Sequence, residues 1–134
     1  MTFHELMTEK VRILEPETSV YEAALVMNQA GVEAIIVANR SQVVGSVGIQ
    51  DIIRNGFLDE RSSKATRLEE IMAEPRWAYE DEPVEDTQEL DHSVYIVKNR
   101  DERLVGTFTS HKIRASVVLS QDARPVTTKS RLVE

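Results

Sequence analysis

The chain contains no cysteine. This excludes a disulfide scaffold, thiolate zinc sites, iron–sulfur clusters and thiol catalysis, and it fits a reducing compartment. Aromatic residues make up only 5% of the 134 positions, so the core must be built from Val, Ile, Leu, Ala and Met. Apolar runs are short, as in Ala34 to Ala38, and none approaches the length needed to cross a bilayer. The opening Met1-Thr2-Phe3-His4-Glu5 has neither the basic nor the apolar part of a secretory signal, and Thr2 stands where myristoylation requires glycine. The expectation is a soluble, cytoplasmic protein. Positive charge is also in deficit: 16 basic residues face 23 acidic ones, for a net charge of −7. Such a field repels polyanions, so neither nucleic acid nor a membrane surface is an expected partner. A small anion held by a local basic cluster remains compatible with it.

Catalytic signatures are missing as well. The sequence has no Walker A, GxGxxG or HExxH spacing. Its three histidines, His4, His92 and His111, lie far apart and beside no acidic pair, so no metal site is expected. Carboxylates cluster in one run (Glu80, Asp81, Glu82, Glu85, Asp86, Glu89) that reads as a solvated surface. No nucleophile is assembled with a base. The chain is expected not to be an enzyme and to require no cofactor.

What the sequence does contain is an internal repeat. Ile36-Val37-Ala38-Asn39-Arg40 returns as Ile96-Val97-Lys98-Asn99-Arg100, a shift of 60. Val44-Gly45-Ser46-Val47-Gly48 returns as Val105-Gly106-Thr107-Phe108-Thr109, a shift of 61, and Leu6-Met7 returns as Ile71-Met72, a shift of 65. Three matches in one order indicate a duplicated unit.

Periodicity predicts the parts of that unit. A short helical piece over Phe3 to Met7 leads into an extended stretch, Val11 to Leu14, and Pro16 prevents a helix from running through. Thr18 or Ser19 caps a new helix, with Glu22 placed as in a capping box. Val20, Ala23, Ala24, Met27 and Ala30 recur at helical spacing, and Gly31 suits the helix end. Ala34 to Ala38 reads as a buried strand, Asn39 to Gln42 as a turn, Val43 to Val47 as a partner strand, and Asp51 to Leu58 as a closing helix. The unit is β-α-β-β-α, which gives an α/β (α+β) fold class. In the second copy Trp77 to Tyr79 is the extended stretch, and Pro83 fits the first turn of the helix. Val20 to Ile35 spans 15 steps whereas Val84 to Tyr95 spans 11, so this helix is about one turn shorter. The domain reading is a first repeat over 1–60, a polar linker over 61–66, a second repeat over 67–120 and a polar tail over 121–134.

An apolar strand, an Asn-Arg turn and Val-Gly-hydrophobic running into a helix, given twice, resembles a tandem pair of CBS (cystathionine β-synthase) domains, or Bateman module. The opening Phe3-His4-Glu5-Leu6-Met7-Thr8 is similar to the usual lead-in of that domain. The resemblance covers roughly Met1 to Ser120. It implies two repeats related by pseudo-two-fold symmetry, clefts between them that hold adenosine compounds, and pairing of two modules into a homodimer.

The ligand signature of the family is a glycine, two hydrophobic positions, Ser or Thr, two variable residues and Asp, in which the carboxylate takes the ribose hydroxyls. Here the first repeat reads Gly45-Ser46-Val47-Gly48-Ile49-Gln50-Asp51, so Asp51 is kept and Gly48 stands at the hydroxyl position. The second reads Gly106-Thr107-Phe108-Thr109-Ser110-His111-Lys112, so Thr109 is kept and Lys112 replaces the aspartate. The resemblance implies ribose contact at Asp51, with Gly48 leaving room and a backbone N–H; a helix cap is the alternative role of that aspartate. Arg54, one turn further on, reaches a phosphate, pairs with Asp51, or is solvated. Thr109 and Lys112 offer contacts to a phosphate or carboxylate, against a cap and a surface lysine. Family members that bind several phosphates often place basic residues just before the central strand; Glu33-Ala34 and Ser93-Val94 stand there and neither is basic, so the resemblance implies no polyphosphate site.

The functional expectation is a regulatory module that binds AMP, ATP or S-adenosylmethionine at Asp51 and signals to an effector protein through a conformational or dimer change. The alternative is a ligand-free dimerisation or interaction module.

Overall fold

The computed structural model describes residues 1–54, 60–85 and 93–110. The shortened helix expected after Val84, together with His111, Lys112 and the 121–134 tail, lies outside the described residues.

Helix α1 (Phe3–Leu6) opens the chain. Thr2 accepts a hydrogen bond from Glu5 N–H, and the Glu5 carboxylate accepts one from Thr2 N–H at 2.7 Å, which closes a capping box. The Thr2 N–H and the Thr2 hydroxyl both donate to the Glu5 carboxylate and hold it below its ordinary pKa. Strand β1 (Ile13–Leu14) follows, then α2 (Val20–Ala30). Ser19 Oγ accepts from Glu22 N–H at 3.0 Å at the start of α2, and Gly31, at φ 69°, ends it in the left-handed conformation that glycine adopts without a side-chain clash. Both boundaries are those read from the sequence. Strands β2 (Ala34–Asn39) and β3 (Gln42–Gly48) lead to α3 (Ile49–Arg54).

Helix α3 starts at Ile49, earlier than the sequence reading of Asp51. The polar 61–66 link is helical, forming α4 (Glu60–Ala65), which packs on α2 and buries Ser63. A 3-10 turn (Leu68–Glu70) precedes β4 (Trp77–Tyr79), β5 (Val94–Lys98) and β6 (Leu104–Thr109).

Among the described residues, six strands form two sheets of the same design, β1-β2-β3 and β4-β5-β6. In each, a short parallel edge strand is joined to an antiparallel hairpin. The hairpins even share a register shift, between Val37 and Ala38 and between Val97 and Lys98. They differ by one residue in the turn. The first turns through Arg40 at φ 62° and the second through Glu102 at φ 65°, with Asn99 Oδ1 accepting from Asp101 and Arg103 N–H. That extra residue accounts for the repeat shift growing from 60 to 61.

The opening segments of the two repeats are packed crosswise. Leu68, Ile71 and Met72, at the start of the second repeat, join the first core with Val20, Ile35, Val37 and Val47. Phe3, Leu6 and Met7, at the start of the first repeat, join the second core with Ala78, Tyr95, Val97 and Phe108. Backbone pairing seals each exchange. Thr8 and Thr107 share two hydrogen bonds of 2.7 and 3.0 Å, and Ala73 and Ser46 share two of 2.9 and 3.0 Å. Glycine makes the approach possible. A methyl group at Gly106 would stand 2.7 Å from Thr8 O, and one at Gly45 would stand 2.7 Å from Ala73 O.

Phe3 anchors this arrangement in the second half. It is 1% exposed and meets Phe108 edge-on with ring centres 5.4 Å apart, and Tyr95 at 5.7 Å. Phe3→Ala is expected to cost about 3–5 kcal/mol, read as a lower urea midpoint. A near-wild-type midpoint would contradict this role for the first segment.

Candidate functional site

The β3–α3 turn is built from Gly48, Ile49 and Asp51. Asp51 lies in the first turn of α3 rather than at the N-cap, and its Oδ2 accepts the Gly48 N–H at 2.7 Å. Of the two roles open to this aspartate, the structure contains a capping bond that runs back to the strand end. The bond fixes a partly buried carboxylate beside the exit of β3. A carboxylate has about four lone-pair sites, so it accepts several hydrogen bonds at once. The next amide, Ile49 N–H, donates to Glu33 O at 2.9 Å.

Gly48 also touches the other repeat. A methyl group in its place would stand 2.9 Å from Val94 Cγ2 and 3.6 Å from Asp51 Oδ2. A hydroxyl side chain at position 48 would therefore collide with Val94. The glycine that departs from the ligand signature is matched by a valine from the second repeat. Val94 is 6% exposed and is the register partner of Thr109, just as Ala34 is the partner of Gly48. Thr109 is buried at the end of β6. Arg54 is the last residue of α3, with its side chain outside the described part, as is Lys112. The structure thus brings Gly48, Asp51 and Val94 to one point.

Sequence reasoning noted Val94 only as a non-basic residue. The repeat itself held the signal for more, because each half's central-strand start should face the other half's strand exit.

A separate apolar cleft of about 370 Å³ lies between α2 and α3. Ala24, Met27, Gly31, Ile49, Ile52 and Ile53 are among the residues that line it, and Asp51 is not. Elsewhere, on the second sheet, Arg100 stacks on Tyr79 at 4.0 Å and holds Asp81 through two hydrogen bonds of 2.8 and 3.0 Å. This bidentate pairing keeps the Asp81 carboxyl below its ordinary range. The Tyr79 hydroxyl donates to Glu102 at 2.6 Å, and the cluster reads as a surface lash for the β5–β6 turn. Among the described residues there is no group of metal-binding side chains, and no helix is long and apolar enough to cross a membrane.

Residues 3–57 match the family model of the CBS domain, a span that includes Asp51. Solved structures share the fold across both halves. An uncharacterised conserved protein from Pyrococcus horikoshii is 25% identical with a TM-score of 0.66, covering 96% of this chain and 96% of that one. A protein with CBS domains from Burkholderia ambifaria is 28% identical with a TM-score of 0.66, covering 88% and 89%. The CBS domain of a bacterial CNNM/CorC family Mg2+ transporter is 18% identical with a TM-score of 0.63, covering 87% and 74%. No protein of curated function matches the sequence. Residues 3–57 are thus similar to the CBS domain, and the fold of both halves is shared with solved structures that include a protein with CBS domains.

Proposed function

We propose that this chain is a CBS-domain sensor in which Asp51 grips the ribose of an adenosine compound at the junction of the two repeats. The observation that carries the reading is the carboxylate itself, partly buried and fixed by the N–H of Gly48, the glycine against which Val94 of the other repeat packs. Two ribose hydroxyls donate to one carboxylate, each charge-assisted bond contributing about 1.5–3 kcal/mol at best. A ligand held there touches both halves, so its binding favours one arrangement of the repeats, and an effector protein reads that arrangement. The reading contains no catalytic step and no resident cofactor.

A second reading is favoured by the α2–α3 cleft. Ile49 and Ile53 beside it are 39% and 53% exposed. The surface carries both an apolar groove and apolar ridges, which suits isologous pairing with a second copy. In this reading the chain is a dimerisation module first.

In a thermal-shift titration, adenosine compounds at 100 times their dissociation constant are expected to add about 2.7 kcal/mol, a rise of several degrees in Tm. Asp51→Ala and Asp51→Asn should abolish the rise, with Asp51→Asn keeping an acceptor for Gly48 N–H and hence the fold. An equal rise in Asp51→Asn would refute the ribose role. For the second reading, Ile53→Glu is expected to convert a dimer to a monomer in sedimentation velocity. A wild-type monomer, or a variant that stays dimeric, would refute that interface.

A further inference from the structure

We infer that Met7 and Met72 form a paired oxidation site, and that converting their thioethers to sulfoxides loosens the two seams joining the repeats. The inference is independent of ribose contact at Asp51. Each methionine belongs to an exchanged segment and lies over a glycine of the opposite repeat. A methyl group at Gly45 would stand 2.7 Å from Met72 Sδ, and one at Gly106 would stand 2.8 Å from Met7 Sδ. Each sulfur thus fills the space that a side chain on the strand would have taken. The two residues are counterparts in the repeat, closing Leu6-Met7 and Ile71-Met72, so the arrangement is built twice. Both pack against a core while staying only half-buried, so solvent reaches each seam residue. Met27 is 4% exposed inside the first core, and Met1 is 66% exposed at the chain start. The four methionines therefore divide into one exposed, two at the seams and one buried.

The chemistry is a two-electron oxidation by a peroxide. A lone pair on Sδ attacks one oxygen of hydrogen peroxide, the O–O bond breaks and an S–O bond forms. The other oxygen leaves as water with both protons, so sulfur is oxidised and the peroxide is reduced. The product carries an extra oxygen and a polar, chiral sulfur where a flexible thioether had packed. Thr8 O and Ala73 O stand 2.7 Å from those same methyl positions, and a sulfoxide oxygen meets carbonyl oxygens unfavourably. The seam amides of Thr8, Thr107, Ser46 and Ala73 already donate across the seams, so a sulfoxide that takes one of them breaks a seam bond. Oxidation pushes each opening segment off the sheet it pairs with, and one peroxide acts on both seams.

The experiment treats the full chain with hydrogen peroxide, maps the oxidised positions by peptide mass spectrometry and follows hydrogen exchange at the four seam amides. Met7 and Met72 are expected to oxidise after Met1 and well before Met27. Exchange at the four amides should then accelerate on the order of tenfold, equivalent to about 1.4 kcal/mol of opening free energy. Methionine sulfoxide reductases acting on both epimers should restore the slow exchange. Met7→Leu combined with Met72→Leu, a swap of nearly constant volume, should keep the amides protected under the same peroxide. If that double variant fails to fold, the chain produced with norleucine in place of methionine, which carries a CH2 for each sulfur, supplies this arm. Met27 oxidising as fast as Met7 and Met72 would overturn the inference, because opening of the core would then precede attack at the seams. So would resistance of Met7 and Met72 where Met1 reacts, their oxidation without faster exchange at the four amides, or equal acceleration in the chain lacking the seam sulfurs.

Discussion

Two glycines set the terms of this structure. Gly45 and Gly106 occupy equivalent positions on the middle of β3 and β6, and each lets a foreign backbone come within a distance that no side chain would permit. Through these gaps the opening segment of each repeat reaches the sheet of the other and pairs with it. Among the described residues, each three-stranded sheet draws part of its core from the other repeat. The first needs Leu68, Ile71 and Met72 from beyond its own helices, and the second needs Phe3, Leu6 and Met7 from the start of the chain. A sheet this small cannot bury enough apolar surface alone, and the exchange supplies the missing layer on both sides.

The same exchange places the candidate site. With the two sheets held crosswise, the exit of β3 faces the start of β5, and Gly48 meets Val94. Sequence drift between the repeats has made this junction asymmetric. Glycine in one half lies against valine from the other, whereas the equivalent positions are Thr109 and Ala34. Such substitutions keep the combined volume while changing the chemistry: a carboxylate and a methyl in one place, and a threonine in the other. Asp51 therefore has two tasks, as a capping group for the strand end and, in our proposal, as an acceptor for ribose. The two are compatible because a carboxylate accepts more than one hydrogen bond.

Much of this was legible in the sequence, because local chemistry decided it. Ser19 and Gly31 bound α2 through a side-chain oxygen and a left-handed backbone, and both signals are intrinsic to the residues. The strands were legible because Ala34 to Ala38 is continuously apolar and its copy appears later. The start of α3 was not, since Ile49 and Gln50 carry no initiating signal and the cap comes from Asp51 reaching back. The helix in the 61–66 link was hidden for a related reason: its residues are polar, and packing against α2 determines their state. The crosswise packing was invisible to periodicity, which reports which face is apolar and not whose core it enters. Val94 was missed on the same ground, because its importance comes from a neighbour 46 positions away in sequence.

The account holds that the two repeats are one cooperative body joined at the exchanged segments. Native-state hydrogen exchange tests this directly at four amides: Thr8, Thr107, Ser46 and Ala73. Each donates across an exchange, at 2.7, 3.0, 3.0 and 2.9 Å respectively. The account predicts that all four exchange slowly and with the same opening free energy, close to that of global unfolding. Rapid exchange at Thr8 and Thr107 while Ser46 and Ala73 stay protected would contradict it, because the halves would then open independently.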